Sequence, residues 1–142
     1  MRGTRASIGA RQATTFALAA FAMVAAACQS TVAAANDGVF GVTRESGGAA
    51  MVALTPKKFA DGKLTVDIQV NTHSVNDLDK YDLTKIVALD IGGKTVAPAS
   101  APKLRGHHNA GQLVFPLATL PRGFTIKIQG LDQPAERVFS WP

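Results

Sequence analysis

Short runs of alternating apolar and polar residues, turn residues between them, and no long amphipathic helical pattern predict an all-β domain. In KLTVDIQV, Leu64, Val66, Ile68 and Val70 fall on one face and Lys63, Thr65, Asp67 and Gln69 on the other. FTIKIQGL repeats the pattern with Phe124, Ile126 and Ile128 against Thr125, Lys127 and Gln129. Strands of this kind are half-buried and antiparallel, because successive side chains point to opposite faces of a sheet.

In order along the chain, VFGVT (39–43) is expected to add an edge strand, followed by strands in MVALT (51–55) and KLTVDIQV (63–70). NDLDKYDLTK is expected to make a helical turn. Further strands are expected in KIVALDI (85–91), KTVAPA (94–99), QLVFPL (112–117), FTIKIQGL and RVFSW (137–141). Ala60-Asp61-Gly62, Gly92-Gly93, Pro121-Arg122-Gly123 and Asp132-Gln133-Pro134 mark turns between them. Gly-Gly in IGGKT suits a tight hairpin, since glycine takes positive φ without a Cβ clash. Pro98 and Pro116 belong at strand ends or edges, because proline donates nothing to a ladder. About seven short strands predict an immunoglobulin-like antiparallel β-sandwich over 39–142, with a small β-barrel as the alternative.

The N-terminus reads as an export signal. Arg2, Arg5 and Arg11 precede the uncharged run ATTFALAAFAMVAAA (13–27), a basic n-region and an apolar h-region. The run is about 15 residues, shorter than the ~20 a spanning helix needs. It ends at Cys28, the only cysteine. Small residues leading to a single Cys resemble a bacterial lipobox, although Ala25 stands where Leu is usual. The resemblance implies cleavage before Cys28 and a diacylglycerol on its thiol. Residues 1–27 are then a signal peptide, and 28–38 are the lipidated Cys and a tether. Gln29 resembles the outer-membrane sorting residue of diderm lipoproteins, which implies an envelope protein facing the periplasm. The alternative is a plain secretory signal cut after Ala35.

The +5 formal charge is concentrated in the signal. From Asn36 onward twelve Lys/Arg stand against ten Asp/Glu, scattered rather than clustered. That distribution excludes nucleic acid as an expected partner, since phosphate binding needs a basic patch. It leaves the membrane, through Cys28, and a protein of the cell envelope.

All three histidines occur at two places, NTHS (His73) and RGHHNAG (His107 and His108). Both adjoin expected strand ends, so antiparallel neighbours would bring them to one pole. Imidazole ligates copper and zinc, which makes His73, His107 and His108 candidate metal ligands. Adjacent residues on a strand face opposite ways, so His107 and His108 converge only if the chain bends at Gly106. A blue-copper centre is excluded by the lack of a domain cysteine, and a Met-rich one because Met51 is the only methionine beyond the signal. The competing reading makes the histidines loop latches bonded to backbone. Asp77, Asp79 and Asp82 raise calcium, but the EF-hand pattern fails, with Asp82 at loop position six and Ala88 at twelve. Neither a Gly-x-Ser-x-Gly elbow nor a phosphate loop is present, and the chain is expected to be non-enzymatic.

Read together, THS at 72–74, GHH at 106–108 and RVFSW at 137–141 resemble a small domain of uncharacterised exported prokaryotic proteins. The shared positions are His73, Gly106, His107, His108, Arg137, Phe139 and Trp141. The resemblance covers about 51–141 and implies a discrete domain without naming an activity. Alternation puts Phe139 and Trp141 on one face, where they are expected to close the core. The expected function is a membrane-anchored binding module; copper or zinc binding and an envelope scaffold are the alternatives.

Overall fold

A computed structural model describes residues 38–142; the expected signal peptide, Cys28 and nearly all of the expected tether lie outside these. The strands are β1 (Arg44–Ser46), β2 (Ala50–Ala60), β3 (Lys63–Thr72), β4 (Val87–Ile91), β5 (Lys94–Val96), β6 (His108–Pro116), β7 (Phe124–Gln129) and β8 (Glu136–Trp141). A 3-10 turn at Leu78–Lys80 and one short helix, α1 (Leu83–Ile86), connect β3 to β4. They form two four-stranded antiparallel sheets, ordered β1-β2-β3-β6 and β5-β4-β7-β8. The sheets do not close into a barrel. With β3 on β6 and β4 on β7, β2-β3-β6 follow the A-B-E order and β5-β4-β7-β8 the C′-C-F-G order of an immunoglobulin-like sandwich, with β1 as an added edge strand beside β2.

The alternating runs bury the faces their periodicity indicates. Leu64, Val66, Ile68 and Val70 of β3 meet Phe124, Ile126 and Ile128 of β7 in a shared core. Phe139 and Trp141 close it from β8, as their alternation predicts. The Trp141 ring stacks on Phe124 at 5.2 Å between centroids. Its indole N–H donates to the Val42 carbonyl at 2.9 Å, which satisfies the one polar atom of an otherwise apolar group.

Several elements depart from expectation. The strand expected at 85–91 starts at Val87, because 85 and 86 belong to α1, and the strand expected at 94–99 ends at Val96. Residues 39–43 form no strand: 38–41 make a turn in which Gly41 sits at φ 80, its N–H donates to Pro56 O, and Val39 is buried. The edge strand begins only at Arg44. β2 continues past Thr55 to Ala60 because a bulge between Pro56 and Lys58 accommodates the proline. β6 starts at His108, four residues before the expected Gln112, since residues 108–111 pair with Ile68–Asn71. The Gly92-Gly93 hairpin is as expected, with φ 57 and 86.

Candidate functional site

The His-bearing segments meet at the pole where β3 ends and β6 begins. Asn71 pairs with His108 across the ladder. Thr72, next along β3, points inward and is 3 % exposed. Its N–H donates to His107 O at 2.9 Å, carrying the pairing one residue beyond β6. Asn71 and His73 flank it on the outer side. The His73 ring meets the His108 ring edge-on, 5.4 Å between centroids. Two of the three histidines are therefore neighbours.

Asn71 orients one of them. Its Oδ1 lies 3.1 Å from Nδ1 of His108. A side-chain carbonyl oxygen only accepts, so Nδ1 carries the hydrogen. In its neutral form the ring so bonded keeps its lone pair on Nε2, the atom available to a ligand.

His107 takes a different place. It lines a groove of about 1230 Å³ between the segments 75–84 and 101–107. Asp77, Asp79 and Asp82 supply carboxylates to the groove's lining, and Lys103 and Arg105 supply cations. Gly106, at φ 59, bends the chain just before His107, and His107 and His108 then point to opposite sides as successive residues do. Asn109 closes that bend: its Oδ1 accepts from the Arg105 N–H. Asp82 caps α1, accepting from Thr84 N at 3.0 Å and Thr84 Oγ1 at 2.6 Å. Those bonds, aided by Lys85, hold its carboxyl below the usual aspartate value. Among the described residues, no three His, Cys, Asp or Glu side chains stand together as a metal-holding group.

Sequence reasoning missed the framework beneath the pair. Thr72 Oγ1 donates to Ala49 O at 2.7 Å and accepts from Val75 N at 2.9 Å and Ser74 N at 3.2 Å. The signal was present: a hydroxyl continues the apolar face of β3, and a buried hydroxyl needs partners. Arg137, with Phe139 and Trp141 on the inward face of β8, is 1 % exposed. Its guanidinium donates to Ala50 O at 3.0 Å, Gln133 O at 2.7 Å, Pro134 O at 3.0 Å and also to Leu131 O. Burial lowers its pKa and nearby Asp132 opposes the change; so high an ordinary value leaves it charged. Thr72 and Arg137 thus cap two successive carbonyls, Ala49 and Ala50. THS, GHH and the arginine of RVFSW converge on one backbone junction.

Gly48 completes it. At φ 131 it adopts a conformation closed to other residues, and a Cβ there would meet Gln133 O at 2.3 Å. Compared with known proteins, the chain matches no family model, no curated protein and no solved structure.

Proposed function

We propose that this is an exported, lipid-anchored envelope protein whose domain is a non-enzymatic binding module, with copper or zinc as ligand at the His-bearing pole. The observation that carries the metal reading is the edge-on meeting of His73 and His108 on the outer face of the sheet. The Asn71 bond adds support, because metal-ligating imidazoles characteristically donate their second N–H to a fixed acceptor. A binding role fits better than catalysis: the acceptor on His108 is a neutral amide, rather than the carboxylate that would tune a general base. The anchor rests on the basic n-region, the apolar run and Cys28 at its end. Acylation contributes ~0.8 kcal/mol per buried CH₂, and two or more chains hold a protein at a membrane.

Calorimetric titration of the untagged full chain with Zn²⁺ and Cu²⁺ tests the ligand. One-to-one binding that is lost in a His73→Ala, His108→Ala chain is expected. Equal binding by the double variant overturns the site, and no binding by either turns the search to envelope protein partners. The anchor is tested by Cys28→Ser: unchanged mass and membrane fractionation would remove it.

A further inference from the structure

Two large apolar side chains stand exposed among the described residues, Met51 at 44 % and Val138 at 53 %. Val138 lies on the edge strand β8, in the other sheet. Met51 stands in the row that holds the candidate ligand. It pairs with Asn71 from β2, and Asn71 pairs with His108 from β6. Met51, Asn71 and His108 therefore cross the outer face of one sheet side by side, with His73 just beyond Asn71. The next row is Ala53, Gln69 and Ala110, two of them too small to stand between the larger side chains.

The spacing suits a shared ligand. Two strand intervals put the backbones of Met51 and His108 about 9.6 Å apart. Methionine's three rotatable bonds let its thioether lean across the intervening strand. An exposed methionine on a face otherwise carrying Thr55, Asp67, Gln69 and Gln112 gains nothing from water. Ligation would give its sulfur a partner.

We infer that Met51 is the third ligand of an ion held by His73 and His108, and that this set selects monovalent copper over zinc. The inference rests on the metal reading of the histidine pair. Thioether sulfur is a soft donor that favours Cu(I), whereas zinc sites draw on imidazole, thiolate and carboxylate. Met51 adds to copper affinity and leaves zinc affinity to the imidazoles.

The test uses the full chain in detergent, untagged, in a Cys28→Ser background that removes the one thiol. Cu(I) affinity is read by competition with a chromogenic chelator under reductant, and Zn²⁺ affinity by competition with a zinc dye. Met51→Leu keeps size and exposure, and thermal melts check that it folds. The expected result is a Cu(I) affinity lower by about tenfold or more with zinc affinity within about twofold. Unchanged Cu(I) affinity in Met51→Leu, with both metals lost in His73→Ala, His108→Ala, overturns the role of Met51 and leaves the histidine site. Both metals retained in the double-histidine variant overturns the site and the inference together.

Discussion

Asn71 Oδ1 lies 3.1 Å from Nδ1 of His108, so an amide on β3 sets which nitrogen of an imidazole on β6 is free. On the metal reading, Asn71→Ala removes the acceptor and lets the ring turn. Metal affinity should fall by about 10- to 100-fold, the usual effect of losing such a partner. Asn71→Asp should restore affinity, because a carboxylate makes the imidazole a better donor. Calorimetry on the two variants decides it; wild-type affinity in Asn71→Ala would show that the ring is held by something else.

Thr72 holds the turn on which His73 sits. Thr72→Val keeps the shape but loses the donor to Ala49 and the acceptor for Ser74 and Val75. Leaving these buried groups unpaired should cost about 2–4 kcal/mol. Thr72→Ser keeps the hydroxyl and should cost ~1 kcal/mol, the value of one buried methyl group. Urea denaturation of both variants measures the difference.

Arg137 contributes stability through four carbonyls rather than through an ion pair. Arg137→Met fills much of the volume but strands those acceptors, at an expected cost of about 3–5 kcal/mol. Hydrogen exchange should quicken most at Ala49, Ala50 and the 131–135 loop. Arg137→Lys should recover only part of the loss, since an ammonium lacks the planar fork.

Gly111 packs against Pro102, and an added Cβ would lie 2.5 Å from the proline Cβ. Gly111→Ala should destabilise by about 1–3 kcal/mol through overpacking. Adding Pro102→Gly removes the opposing atoms. A double-mutant cycle should then show a coupling of about 0.5–3 kcal/mol; strict additivity would mean the loop moves aside without cost.

Asp82 carries a pH dependence. Its Thr84 bonds lower the folded pKa. The contribution is therefore present above the unfolded aspartate value and is lost as pH falls through the lower folded value. An NMR titration should place its midpoint below the ordinary aspartate range, and Thr84→Ala should move it upward.

The faces of the strands were legible because alternation is local: each residue's side follows from its neighbours two away. Leu64 to Val70, Phe124 to Ile128 and the Phe139–Trp141 pair needed nothing else. The turn at Gly92-Gly93 was legible for the same reason, since positive φ is a property of the residue itself. Residues 108–111 did not read as strand because His-Asn-Ala-Gly has little intrinsic preference for it; the ladder of β3 imposed the conformation. Likewise the strand expected at 51–55 stopped short of Pro56, and only pairing with β3 carried the chain past it through a bulge.

From the sequence alone came an all-β chain with its histidines at two strand ends, and the expectation of an export signal before it. Register decided which of them meet. It placed His108 opposite Asn71, Met51 on the other flank of Asn71, and His107 in a different groove. It also brought Thr72 and Arg137 to successive carbonyls of β2 and its approach. These are relations between residues 20 to 87 positions apart, set by how hydrogen-bonded strands align once their apolar faces are buried together. Local periodicity carries no record of that alignment, so the chemistry of the pole belongs to the tertiary structure.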